Sequence, residues 1–415
     1  MRWISLLLLF FASLITYADK VVIGFAAGPL MSEFSLNASQ WGMVGSSFFI
    51  FFIVTSLIGG TWSDRFGTTQ MIFLVLIGVS LIQFGAFAIT GLTMLILYRV
   101  LLGAVEGPMV PAGLNHISKI FPAERRGFAV SVYIAGSSVG GIISAPILVS
   151  LIEKYGWRWT FVLLGFVSLV LFSVWAMLNR KDKSRQAVAE PVTRKLKWSD
   201  IAPVLRHPAC FLTISLSASA SWVVTWQALW APIYLTKVIN LEPMKMAYTI
   251  MGTGIVTIVL VFLISSLSDR IYKKTQSYRK ARVWSAGIST IIGGLALAAI
   301  PLGGDSIVWI FTTLSLAKGA TYTNVSMAVQ IMIKLMPQRA GFMSSILSLG
   351  NNIGQLVAPI ASGIFVQAAG TDLALGFHQS IYAMAGLFLV VAVLFLLFVK
   401  PDQVKETNST ETVAM

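Results

Sequence analysis

The chain opens MRWISLLLLFFASLITYADKVVIG over residues 1–24, and two readings compete for it. Arg2, the apolar run 6–15 and Thr16-Tyr17-Ala18 have the layout of a secretory signal peptide cut before Asp19. The same residues also make a first transmembrane helix that carries Asp19 and Lys20 into the bilayer. Charges at that depth face a bundle interior and mark function. The continuation decides between them. After Asp19 the apolar run resumes as Val21-Val22-Ile23-Gly24-Phe25-Ala26-Ala27 and reaches Met31, so cleavage would leave half a span. The transmembrane reading stands.

The rest of the chain agrees. Of 415 residues 56% are hydrophobic and only 11% are charged, against about 25% in soluble domains. Segments of about 20 mostly apolar residues fall at 3–31, 41–61, 70–90, 93–118, 127–152, 157–179, 209–235, 246–267, 283–301, 306–333, 341–368 and 373–399. This predicts an all-α polytopic membrane protein of twelve transmembrane helices. Single Cys210 excludes a disulfide framework, and His116, His207 and His378 are too scattered for a metal site. No nucleophile–base constellation or phosphate loop suggests an enzyme, and no cofactor is expected.

The net charge of +14 is mostly topology. With both termini in the cytoplasm, only Lys154, Arg158, Lys237 and Lys245 fall outside, and Lys20, Arg99 and Lys318 fall within spans. The remainder of the 30 basic residues lie on the cytoplasmic side, as the positive-inside rule requires. Nucleic acid is therefore not an expected partner; the lipid bilayer is. The short stretch before the first span leans towards a bacterial inner membrane. Residues 180–208 form a basic cytoplasmic linker between a first half, 1–179, and a second, 209–400, with a tail over 401–415.

The two halves repeat each other. Gly136-Ser-Ser-Val-Gly-Gly-Ile-Ile-Ser-Ala-Pro146 matches Gly350-Asn-Asn-Ile-Gly-Gln-Leu-Val-Ala-Pro359, Pro122-Ala-Glu-Arg-Arg-Gly127 matches Pro337-Gln-Arg-Ala-Gly341, and Ser63-Asp64-Arg65 matches Ser268-Asp269-Arg270, all in the same order. Two pseudo-symmetric six-helix halves follow, as in transporters built from repeats. Gly60-Thr-Trp-Ser-Asp64-Arg65-Phe-Gly67 ends the second span. Its glycines permit close helix approach, and Asp64 is expected to face the positive N-terminus of a helix from the other half. That would make Gly60, Asp64, Arg65 and Gly67, with Asp269 and Arg270, an inner gate; a tight turn with a capping Asp is the plainer alternative.

This segment resembles the G-x-x-x-D-R-x-G signature of the major facilitator superfamily, although Thr68-Thr69 stand where that family usually has basic residues. Further motifs resemble its anion:cation symporters, which include bacterial sugar-acid transporters: Thr16-Tyr17-Ala18-Asp19-Lys20 their N-Y-x-D-R, Arg99-x6-Glu106-Gly-Pro108 their R-x6-E-x-P, Phe121-Pro122-Ala-Glu124-Arg125 their F-P-x-x-E-R, Gly156-Trp157-Arg158-Trp159 their G-W-R-W, and Trp230-Ala-Pro232-Ile-Tyr234-Leu235 their W-x-P-x-Y-L. The resemblance implies the major facilitator fold and proton-coupled anion transport. Lys20, where an Arg is usual, replaces a bidentate fork with a point charge.

Five charges within spans carry the functional reading. Arg99 and Glu106 are seven residues apart, so they share a helix face about 10 Å apart along the axis. A carboxylate balanced between desolvation and nearby cations can load and release a proton, so Asp19 and Glu106 are assigned to proton coupling, as the resemblance also implies. The alternative is that Asp19–Lys20 and Arg99–Glu106 are ion pairs that only fix packing. With three cations against two acids, the interior suits an anion, met first by Lys20 and Arg99. For Lys318 three readings stand: a second substrate carboxylate, snorkelling, or a carboxylate partner in the protein. Tyr17, Trp226, Gln227, Asn351 and Asn352 complete a candidate binding set for a hydroxylated or carbonyl-bearing substrate. The expected protein is a monomeric transporter that imports a small organic anion, a sugar acid or other carboxylate, with protons as the coupling ion. An organophosphate–phosphate or organic-anion exchanger is one rival, and a non-transporting membrane anion sensor is another.

Overall fold

The computed structural model describes residues 2–179 and 207–401, almost all of them helical. The linker read over 180–208 lies outside the described residues except for its last two, as does the tail beyond 401. Ten described helices are long and apolar enough to cross a membrane. In chain order they include α1 (Arg2–Phe25), α2 (Ala38–Phe66), α3 (Thr68–Ala88) and α4 (Leu92–Ile120). The fifth, Ala123–Asn179, is two spans: Gly156 (φ +80°) breaks it into limbs over 123–155 and 157–179, here α5 and α6. Only glycine adopts that backbone without strain. Then follow α7 (Pro208–Leu229), α8 (Pro243–Thr275), α9 (Arg279–Gly303), α11 (Ala340–Ala368) and α12 (Leu373–Phe398). Between them α10 (Ile307–Leu335) is as long as α2 or α11 but is not among those ten, because Lys318, Asn324 and several hydroxyls interrupt its apolar run. With α5, α6 and α10 counted, the predicted twelve spans are present.

The repeat read from sequence has a packing counterpart. In the first half the Gly-rich stretch of α5 lies on α1: a Cβ on Gly136 would stand 2.2 Å from the Phe10 carbonyl oxygen. In the second half the matching stretch of α11 lies on α7, where a Cβ on Gly354 would stand 2.6 Å from the Ala218 carbonyl oxygen. Small residues let helix backbones approach in lipid, where packing replaces the hydrophobic drive.

The described residues fall in two compact units. One is drawn from Met1–Val192, Val224–Ile255 and Gln355–Ser380; the other from Thr193–Val223, Val256–Gly354 and Ile381–Met415. The units cut across the sequence repeat because the ends of α7 and α11 farthest from the chain termini pack on α1 and α2. At this distal seam a Cβ on Gly24 would stand 1.9 Å from the Ala228 carbonyl oxygen. The Ser46 hydroxyl donates to the Leu356 carbonyl at 2.6 Å, and the Trp230 indole donates to the Pro359 carbonyl at 3.3 Å. The first unit is therefore sealed at its distal end by backbone contact. The second unit has its own apolar core, in which Leu216, Val283, Ala286, Met327, Ile331 and Phe395 are fully or almost fully buried.

The Gly-Trp-Arg-Trp stretch at the start of α6 braces the same end. Arg158 grips Glu33 with both guanidinium nitrogens, at 2.6 and 3.1 Å, and donates a further bond to the Ile89 carbonyl. The Trp157 indole donates to Glu33 at 2.8 Å. These bonds to Arg158 hold the Glu33 carboxyl below the usual carboxylate range. A carboxyl held down in the folded state stabilises at neutral pH and loses that contribution as pH falls through its folded value. The pair is partly solvated, with side chains 27% and 39% exposed, so it should be worth no more than about 1 kcal/mol. Glu33→Gln is expected to lower the melting temperature slightly at pH 7, with the difference from wild type shrinking on acidification. A difference that does not change with pH would show that the charge is not involved.

Candidate functional site

Four charges gather in the first unit. Asp19 is fully buried on α1, and Gln83 of α3 donates its amide Nε2 to Asp19 Oδ1 at 2.5 Å. Tyr98 of α4 donates its hydroxyl to Gln83 Oε1, and all three side chains are buried. Asp19 Oδ2 has no hydrogen-bond partner. Glu106 is buried one span across on α4, and neither of its carboxyl oxygens is hydrogen-bonded.

The two cations meet aromatic faces rather than carboxylates. The Arg99 guanidinium lies 4.6 Å from the centroid of Phe48, and Lys20 Nζ lies 4.4 Å from that of Phe52. The two rings are stacked on each other at 5.3 Å, and Lys20 Nζ is also 5.8 Å from the Phe48 centroid. Both cations are thus held at one aromatic pair, and Asp19 and Glu106 lie close enough to act on them electrostatically. Among the described residues neither Asp19–Lys20 nor Arg99–Glu106 comes within the 4.0 Å of an ion pair. The packing-pair alternative therefore does not describe this structure.

Magnitudes say what such a site wants. A desolvated cation–π contact contributes about 2 kcal/mol, whereas each buried charge costs several kcal/mol to desolvate. The aromatic faces position Lys20 and Arg99 without neutralising them. An incoming anion would offset the remainder.

The other sequence-predicted residues are spread more widely. Tyr17 rests on Gly141, where a Cβ would touch its ring at 3.1 Å. Trp226 and Gln227 are buried on the part of α7 that belongs to the first unit, and the Trp226 indole nitrogen has no hydrogen-bond partner. Lys318, Asn351 and Asn352 belong to the second unit. No described carboxylate stands within ion-pair distance of Lys318, so its reading as one half of a protein ion pair finds no support. His116, for which the sequence offers no partner, shares a hydrogen bond of 3.0 Å with the Thr68 hydroxyl and leans on Trp175.

The gate motif needs correcting at one glycine. Gly60 has open space where a Cβ would go; the close approach is made by Gly59, where a Cβ would stand 2.8 Å from Pro108 Cα. Gly67 serves the turn instead, at φ +92°. Asp64 is held by partners in its own half, accepting from Asn115 Nδ2 at 2.7 Å with Lys119 at 3.6 Å. Asp269 has the same arrangement. Buried Arg282 donates to it at 2.6 Å and to Ser268 at 2.6 Å, and Ser268 in turn donates to the Ala281 carbonyl. Arg65 and Arg270 are exposed beside them.

Gln83, Tyr98, Phe48 and Phe52 were not singled out in the sequence. A glutamine deep in the apolar third span is a signal that could have flagged Gln83, and Tyr98 adjoins Arg99. The phenylalanines sit in an aromatic run whose role only their neighbours reveal.

Among the described residues, twelve membrane-length helices in two repeated sets, with buried charges that form no ion pair with one another, define a polytopic membrane protein. The Major Facilitator Superfamily model matches residues 9–339 and 279–414, and the chain belongs to that family. It is 25% identical to the hexuronate transporter of Bacillus subtilis (strain 168), over 95% of this chain and 94% of that one. It is 23% identical to the D-galactonate transporter of Escherichia coli O6:H1, over 94% and 95%. Among solved structures it is similar in fold to a bacterial homologue of the human lysosomal transporter Spinster in an inward-facing, occupied conformation (TM-score 0.79, 19% identity, 95% and 96% covered). The D-xylose–proton symporter gives a TM-score of 0.78 at 14% identity, covering 98% and 100%.

Proposed function

We propose that this protein imports a small organic anion, a sugar acid or other carboxylate, together with protons across a bacterial inner membrane. The observation that carries the reading is the pairing of Lys20 and Arg99 at the Phe48–Phe52 faces with no carboxylate in contact, while Asp19 and Glu106 stand buried nearby. The cations supply the anion's counter-charge. The acids supply sites at which a proton can enter and leave with it. Relatives named for hexuronate and galactonate support the substrate class.

The positive-inside distribution makes the distal end the outer one, so the seam at Gly24 and Ala228 is the outer seal of an alternating-access cycle. Gly24→Val is expected to hold that seal open, because the added carbons would overlap the Ala228 backbone. In a Cys210→Ser background, thiol labelling of Ser46→Cys from outside should rise when the Gly24 change is added. Unchanged labelling would remove the seal from the mechanism.

The direct test is uptake into proteoliposomes of labelled hexuronates, galactonates and simple carboxylates, with and without an inward proton gradient. Accumulation driven by the gradient supports symport. Equal uptake in both conditions leaves an exchanger or uniporter, and binding without flux leaves a sensor.

A further inference from the structure

The buried carboxyl of Asp19 is asymmetric. Oδ1 receives the Gln83 amide at 2.5 Å, and Oδ2 has no hydrogen-bond partner. The amide itself is fixed from behind. Gln83 Oε1 can only accept, so the Tyr98 hydroxyl donates to it, and this bond turns the amide nitrogen towards Asp19. The chain Tyr98–Gln83–Asp19 crosses three helices, α4, α3 and α1, and every member is buried. A buried amide facing a carboxylate in this way is costly to leave half-satisfied.

We propose that Gln83 and Tyr98 are positioning residues for proton coupling: Tyr98 fixes the Gln83 amide, and the amide anchors Asp19 Oδ1 so that Oδ2 is the atom that takes and releases the proton. Loading forms one O–H bond at Oδ2 as the O–H bond of the donating hydronium breaks and leaves water, while the Gln83 N–H donation to Oδ1 is kept in both protonation states. Release returns the proton to water or to the neighbouring site. The charged and titratable groups that act on Asp19 are Lys20 on its own helix and Tyr98, Arg99 and Glu106 on α4. None of them bonds Oδ2, which leaves that buried oxygen with its lone pairs free to take a proton. The inference rests on the proton-symport reading above.

The test uses the full-length protein in proteoliposomes with Gln83→Met, a near-isosteric change, and Tyr98→Phe. A hydrogen bond to the ionised carboxylate favours that form. Its loss in Gln83→Met should move the pH midpoint of gradient-driven uptake upward by about one unit or more, while anion exchange is retained. Tyr98→Phe, which only frees the amide to turn, should give a smaller shift in the same direction. In infrared difference spectra the carboxyl stretch that disappears in Asp19→Asn should move to higher frequency in Gln83→Met, and by less in Tyr98→Phe. An unmoved pH midpoint and an unmoved band in either folded variant would overturn the proposal. Should Gln83→Met fail to fold, the same two readouts in Tyr98→Phe decide the matter. Uptake by the wild type that ignores the proton gradient would instead sink the symport reading itself, a distinct outcome.

Discussion

Replacing Glu106 with Gln is expected to abolish gradient-driven accumulation while leaving anion exchange intact. Glu106 is buried, both of its oxygens lack hydrogen bonds, and no described cation stands within ion-pair distance of it. A carboxylate kept only for packing would be an expensive choice, since a buried charge without partners costs several kcal/mol. On the proposed symport reading, its physical use is to exist in two protonation states. Glutamine has the same shape and mimics the protonated state permanently, so the half of the cycle that needs a bound proton can still run and the half that needs its release cannot. Accumulation requires both; exchange requires only the first. The check is counterflow beside proton-driven uptake in the same proteoliposomes. Loss of both activities in a folded variant would move Glu106 from coupling to anion binding or structure.

Removing either interior cation should have the second large effect, and it should fall on affinity. Arg99→Gln and Lys20→Gln each take away a charge that, on the proposed reading, meets the anion in a desolvated setting. Truncating one member of a buried, hydrogen-bonded charge pair costs about 2–5 kcal/mol, which at 1.4 kcal/mol per decade is roughly a 30- to 3,000-fold weaker apparent affinity. Phe48 and Phe52 remain stacked in both variants, so the site keeps its shape. Lys20→Arg should be far milder in magnitude and change selectivity instead, because a guanidinium offers a planar fork where the ammonium is a point charge. Competition by carboxylates of different geometry against labelled substrate would show this. Equal affinity in wild type and both Gln variants would place the anion elsewhere, and Lys318 would then be the next cation to test.

The gate residues illustrate a limit of motif reading. The spacing of Gly60, Asp64, Arg65 and Gly67 marks the turn between α2 and α3, and its echo at Asp269 marks the corresponding turn in the second half. Which contacts the acids make was not in the spacing. Asp64 is tied to Asn115 and Lys119, and Asp269 to Arg282, each partner arriving from another helix of the same half. The close helix approach belongs to Gly59, one residue before the motif glycine. Both points depend on helix rotation, which a one-residue error in facing changes by about 100°.

Hydropathy, the positions of Lys and Arg, and the internal repeat were enough to reach twelve spans in two related sets, because bilayer thickness dictates helix length and water is absent from its core. The placing of Asp19, Lys20, Arg99 and Glu106 well inside spans followed from the same count. The sequence could not say what each charge touches. That Lys20 and Arg99 meet one aromatic pair rather than the adjacent acids, that Asp19 is anchored by Gln83 through one oxygen only, and that α7 and α11 close on α1 and α2 at the distal end were decided by tertiary structure. The reason is geometric: a span's composition fixes that it crosses the membrane, whereas contacts of a few ångströms between helices far apart in the chain depend on their rotation and pairing, which only packing sets.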